Sequence, residues 1–132
     1  MRVVVIEDET ALQTRLRERL EQEGWMVDTS GDGRDGLYQL LEYPADVAVV
    51  DLGLPLDERA RAFLTGSDLV MVNVLPEAIG LRNARRLLAW AWEQGIPPDA
   101  TRVVLNRANM PSGLQPAEIR EHLGIPVAFE IP

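Results

Sequence analysis

Neither lysine nor cysteine occurs in this chain of 132 residues, so all 13 of its basic residues are arginine. Without cysteine there is no disulfide framework or disulfide partner, no thiolate metal ligand and no thiol nucleophile. Positive charge is scarce overall. Against 21 Asp and Glu, the formal net charge is -8, which argues against direct contact with nucleic acid, because phosphate contacts need clustered cations. The arginines do gather at Arg15, Arg17 and Arg19 and again at Arg82, Arg85 and Arg86, both groups on expected helices among acids, which reads as a solvated helix face. Long apolar runs are also lacking, so no segment is expected to span a membrane. The opening Met1-Arg2-Val3-Val4-Val5-Ile6-Glu7-Asp8-Glu9 turns acidic where a signal peptide would stay apolar. Together these absences lead us to expect a cytoplasmic protein.

Apolar residues make up 46% of the chain, ordinary for a folded protein, and the length suits a single domain over residues 1–132. Val3 to Ile6 is a continuous β-branched run of the kind buried on both faces of a sheet. Thr10 is a candidate N-cap for a helix carrying Leu12, Leu16 and Leu20 and stopping at Gly24. Trp25 to Asp28 and Val47 to Val50 give two further strands, separated by a helix with Leu37, Leu40 and Leu41. A short helix over about 57–64 follows, then a strand at Leu69 to Val72 and a helix from Pro76 to Gly95. Val103 to Leu105 is a strand, Pro116 to Leu123 a helix with Pro at its start, and Pro126 to Phe129 a last strand. Such alternation with short connections implies right-handed βαβ crossovers. The expected fold is α/β, a three-layer αβα arrangement of the flavodoxin-like, CheY-like kind. Its doubly wound parallel sheet would have six strands ordered 2-1-3-4-5-6.

In a doubly wound sheet, ligands bind beyond the carboxyl ends of the strands, beside the switch point between the first and third. Glu7, Asp8 and Asp51 all fall there. Three converging carboxylates repel one another unless a cation or a shared proton relieves them. Oxygen ligands with room for water suit Mg²⁺, which would also neutralise a phosphoryl group approaching Asp51 and let that carboxylate act as a nucleophile. The alternative from spacing alone is that these acids are solvated or cap the following helical turn.

Three stretches make residues 1–55 specific. They are Arg2 to Glu9, then Ser30-Gly31-Asp32-Gly33-Arg34-Asp35-Gly36-Leu37, and Asp46-Val47-Ala48-Val49-Val50-Asp51-Leu52-Gly53-Leu54-Pro55. In these the chain resembles the receiver domain of an OmpR-type response regulator. The resemblance implies that Asp51 is the phosphorylated aspartate. It also implies that Glu7 and Asp8 hold Mg²⁺, with the Gly53 carbonyl as a further ligand. Two residues that a working receiver needs are missing. Its fourth strand should end on Thr or Ser, yet Val72-Asn73-Val74 offers no hydroxyl. The fifth should end on Lys, yet Leu105-Asn106-Arg107 offers arginine, a poor substitute for a compact ammonium.

From about residue 56 onward the pattern changes. Ser67 to Val72, Leu81-Arg82-Asn83-Ala84-Arg85-Arg86-Leu87-Leu88, and Arg102-Val103-Val104-Leu105-Asn106-Arg107 are similar to the C-terminal half of ParA/MinD-type P-loop ATPases. The nearest branch is the pilus-assembly one that contains CpaE and TadZ. That resemblance implies an adenine contact at Asn106. The Gly-x-x-x-x-Gly-Lys-Ser/Thr phosphate loop is absent and cannot exist without lysine, so ATP hydrolysis is not expected. The expectation is a chimeric α/β scaffold, engineered or recombined, that is not an enzyme and has no complete signalling cycle. It would keep a weak Mg²⁺ site in its acidic pocket. The alternative is an atypical phosphorelay receiver that accepts phosphate at Asp51 or serves as a partner-binding module.

The remaining features have plain readings. His122, the only histidine, lacks an acid-nucleophile set and is expected at the surface. Trp90 and Trp92 cannot share a helix face, so one should be core and the other partly exposed, where an indole could mark a self-association patch. Gly31, Gly33 and Gly36 follow the second strand and read as turn glycines.

Overall fold

A computed structural model describes residues 1–52 and 56–132; Gly53 and the two residues after it lie outside that description. Strands and helices alternate as expected: β1 (Arg2–Ile6), α1 (Thr10–Gln22), β2 (Met26–Ser30), α2 (Gly33–Glu42), β3 (Val47–Val50), α3 (Glu58–Thr65), β4 (Val70–Val74), α4 (Ala78–Glu93), β5 (Thr101–Asn106), α5 (Pro116–Leu123) and β6 (Val127–Ile131), with one 3-10 turn at Pro98–Ala100. The strands form two three-stranded parallel sheets, ordered β2-β1-β3 and β4-β5-β6. Within each sheet the order agrees with the expected 2-1-3-4-5-6, but the strands fall into two sheets instead of one continuous one. The chain divides into two compact units, Met1–Phe63 and Leu64–Pro132, and the boundary falls inside α3.

In the first unit, β1 is central and Val3, Val4, Val5 and Ile6 are all buried. Val3 and Val5 join Val27 in a cluster covered by Leu16 and Leu20 of α1 and by Trp25. Val4 and Ile6 point the other way, into a cluster with Phe63, Leu37, Leu40, Val50 and Leu52. Burial of such side chains is worth roughly 1.5–3 kcal/mol each, which makes β1 the anchor of this unit. Register places Val47 and Val49 opposite Val3 and Val5, yet both are exposed, because the packing from α1 is centred on β1 and β2. Arg2 secures the start of β1: its guanidinium pairs with Asp28 Oδ2 at 2.8 Å and reaches the Tyr43 and Pro44 carbonyls, while its N–H donates to Asp46 Oδ2 at 2.7 Å.

Thr10 is not the N-cap of α1. Glu9 holds that position and makes no side-chain cap bond, and Thr10 is the first helical residue, its carbonyl accepting from the Thr14 hydroxyl. The Glu7 carboxylate, two residues upstream, takes the Glu9 N–H and so fixes the turn one position earlier. The exposed side of α1 carries the pairs Arg17–Glu21 and Arg19–Glu23, as expected of a solvated face.

In the second unit, Val70, Val72 and Val74 of β4 and Val103 and Leu105 of β5 are buried. Against them lie Leu81, Ala84, Leu88 and Ala91 of α4, at spacings that make one helical stripe. α4 packs on β4 and on α5, and α5 packs on β6. Met71, Phe129 and Ile131 are exposed at 55%, 54% and 47%. Trp90 and Trp92 are both half-buried, which corrects the expected division into core and surface, and the buried Trp92 indole N–H has no partner. Pro116 opens α5, the Glu118 carboxylate accepts the Gln115 N–H at 2.7 Å, and Gly124 closes the helix at a φ of +75° that favours glycine. Among the described residues, no helix is long and apolar enough to cross a membrane.

Candidate functional site

The ends of the first sheet are extended by single backbone bonds. Glu7 N–H donates to the Ser30 carbonyl at 3.0 Å, and Asp51 N–H donates to the Ile6 carbonyl at 3.0 Å. Parallel register therefore carries Glu7 and Asp51 just past neighbouring strand ends, on the side where α/β sheets bind ligands. A cavity of about 530 Å³ opens there, lined by Glu7, Asp8 and Asp51 together with Gly31, Asp32, Asp57 and Arg59. Its apolar floor includes Ile6, Val50 and Phe63.

Glu7 is 5% exposed, whereas Asp8 and Asp51 are exposed. Glu7 Oε1 accepts the Glu9 N–H at 2.9 Å, and its own carbonyl accepts Gln13 Nε2 at 2.9 Å. The Glu9 N–H is the largest single influence on the carboxyl and favours its ionised form. Burial, the negative charges of Asp51 and Asp8 and the Asp8 side-chain bond together outweigh it, so Glu7 titrates above its ordinary range.

The three acids share one cavity but do not form a ready-made cage. Among the described residues, no three acids or histidines stand together as a metal-holding group. The expected convergence is corrected to this extent, because Glu7 turns one oxygen to its own helix start. The donor set still fits Mg²⁺, which takes one or two carboxylates and keeps several waters. The expected Gly53 ligand lies outside the described residues.

Sequence reasoning missed Asp32, Asp57 and Arg59, which also line the cavity. Asp32 is the N-cap of α2, accepting from Arg34 N–H at 2.7 Å and Asp35 N–H at 3.2 Å. The Asp35 and Arg34 N–H groups, with help from the Arg59 charge, hold its carboxyl below the usual range. Asp57 does the same for α3, accepting from the N–H groups of Arg59 and Ala60 at 3.0 Å. It also takes the Arg59 guanidinium, with Nε at 3.0 Å and Nη2 at 2.9 Å from the same oxygen. An acid just before a short helix is a capping signal that could have located Asp57. Gly36 is not a turn glycine but sits inside α2, packed against Ile6.

Asn106 belongs to the second unit and does not line this cavity. It ends β5, and its Oδ1 accepts the N–H of Arg107, a residue at a φ of +56°. His122 is exposed, its Nδ1 2.8 Å from the Glu118 carbonyl.

No family model matches the chain. Over 55 residues it is 46% identical to the two-component response regulator PhoP of Pseudomonas aeruginosa, covering 42% of this chain and 24% of that protein. It is equally similar over the same length to the virulence transcriptional regulatory protein PhoP of Salmonella typhimurium, of which it covers 25%. The chain thus spans about a quarter of the curated relatives it matches. Two solved structures share its fold over 99% of its length. They are a ParA family ATPase from Chlorobium tepidum, with a TM-score of 0.69, 19% identity and 70% of that chain covered, and the MinD cell division protein of Aquifex aeolicus, with 0.69, 14% and 69%. The chain is therefore an α/β protein of parallel sheets, part of whose sequence is similar to response regulators and whose fold is like that of ParA and MinD.

Proposed function

We propose that this chain is a chimeric, cytoplasmic α/β scaffold, engineered or recombined, whose first unit keeps a receiver-like acidic cavity with weak affinity for Mg²⁺. The observation that carries this reading is the cavity at the ends of β1 and β3, where the charges of Asp51 and Asp8 act on the buried Glu7. Bound there, Mg²⁺ would neutralise that charge and any phosphoryl group brought to it. Glu7, Asp8 and Asp51 are the residues that would hold the ion. The chain is proposed not to be an enzyme, since it has no lysine for a phosphate loop and no hydroxyl at the end of β4. Its net charge of -8 likewise speaks against a nucleic-acid partner.

Mg²⁺ titration followed by amide NMR tests this. Saturable shifts at Glu7, Asp8 and Asp51 are expected, weakened at least about tenfold in Asp51→Asn, as for loss of a close unit charge in a partly solvated site. Equal affinity in both proteins removes Asp51 from the site.

A second reading is favoured by the 46% identity to PhoP. In it the first unit is an atypical phosphorelay receiver. An Asp51 oxygen attacks the phosphorus of an acyl phosphate, a new P–O bond forms, and the donor's P–O bond breaks as its carboxylate leaves. Beryllofluoride, which mimics the phosphoryl group, should then bind saturably in the presence of Mg²⁺. No saturable response dismisses this reading.

A further inference from the structure

An anion entering the acidic cavity meets five lining carboxylates, Glu7, Asp8, Asp32, Asp51 and Asp57, and a divalent ion bound there would offset only part of that repulsion. Among the described residues that line the cavity, Arg59 is the one cation. We infer that Arg59, presented at the cavity rim by Asp57, is the residue that pairs with a phosphoryl group carried at Asp51. The inference rests on the phosphorelay reading given above and names the partner of that same site.

Three observations carry it. Asp57 caps α3 through the N–H groups of Arg59 and Ala60 and grips the guanidinium through Nε and Nη2, so backbone and side chain of Arg59 are set by one carboxylate. The Nε and Nη2 contacts both go to a single oxygen of Asp57, and the Arg59 side chain keeps 64% of its surface exposed, leaving guanidinium edge for a second anion. Its charge also acts on Asp32, another lining residue, and helps hold that carboxyl in the ionised form. A planar guanidinium fork suits the oxygens of a phosphoryl group, and such charge-assisted bonds are among the stronger ones. Since the chain has no lysine, no ammonium can take that role.

The test is titration of the full chain with beryllofluoride in saturating Mg²⁺, and with Mg²⁺ alone, for wild type, Arg59→Ala, Arg59→Lys and the second-unit control Arg85→Ala. Circular dichroism checks the fold of each. Arg59→Ala should weaken beryllofluoride about ten- to a hundredfold, the worth of a charge-assisted hydrogen bond, while Mg²⁺ alone binds as well or more tightly because a cation has gone. Arg59→Lys should recover part of the loss, and Arg85→Ala should match wild type. Unchanged beryllofluoride affinity in Arg59→Ala overturns the inference, as does an equal loss in Arg85→Ala or a parallel loss of Mg²⁺. Failure of the underlying reading shows differently, as wild type itself failing to bind beryllofluoride.

Discussion

Gly36 of α2 lies directly on Ile6 of β1: a Cβ built at Gly36 would stand 2.7 Å from Ile6 Cγ1. Helix and strand can approach this closely only because position 36 has no side chain, and Ile6 is itself buried at the floor of the acidic cavity. Gly36→Val should therefore destabilise the chain by about 1–3 kcal/mol through overpacking, even though most substitutions of a helical glycine raise helix propensity. Trimming the partner should relieve it. In urea denaturation, Gly36→Val combined with Ile6→Val is expected to lose less stability than the sum of the two single changes. Simple additivity contradicts the contact.

Asp32 links the start of α2 to pH. Its folded carboxyl titrates below the ordinary range, so its contribution to stability is fully present above the ordinary value and is lost as pH falls through the depressed one. Asp32→Asn keeps an acceptor for the Arg34 and Asp35 N–H groups but removes the titration. Its thermal midpoint should stay near wild type at neutral pH and fall less on acidification, whereas Asp32→Ala should melt lower at every pH.

Glu7 behaves in the opposite sense. Its folded carboxyl titrates above the ordinary range, so its linked stability is greatest below the ordinary value and declines as pH rises through the folded one. Carbon-detected NMR titration of Asp51→Asn should show Glu7 moving down toward its ordinary range, since the Asp51 charge has gone. An unmoved Glu7 would show that the two carboxyls do not feel each other.

Mg²⁺ should stabilise the folded chain by mass action, by about 2.7 kcal/mol at a hundredfold excess over Kd. Thermal melts with and without Mg²⁺ read this directly. Asp51→Asn should respond much less.

The second unit rests on Leu88, which is 1% exposed within the α4 stripe. Leu88→Ala should cost about 2–5 kcal/mol, seen as a lower urea midpoint in the fluorescence of Trp90 and Trp92 on the same helix. Gly124→Ala should cost less, about 1–2 kcal/mol, the penalty of a side chain at positive φ.

Much of the fold was legible because period-2 and period-3.6 signals were clean. Val47–Val50 and Pro116–Leu123 match their expected ranges, and Val3 to Ile6 is buried on both sides as a β-branched run should be. What the sequence hid was decided by contacts between elements. Thr10 looked like a cap, but the Glu7 carboxylate captured the Glu9 N–H and moved the helix start. Gly36 looked like part of a turn because nothing local shows that Ile6 will lie over it. At the site, Glu7, Asp8 and Asp51 could be placed on one rim from strand ends alone. Arg59 and Asp57 could not, because their place in the cavity depends on where α3 lies after the segment that follows Leu52.

The three half-exposed side chains Met71, Phe129 and Ile131 bear on how the protein behaves in the laboratory. Parallel strands are ordinarily hidden on both sides, and an uncovered hydrocarbon surface clings to whatever non-polar material it meets. Retention of the chain on alkyl resin, or its brightening of a hydrophobic dye, should therefore persist after every acid around Asp51 has been neutralised.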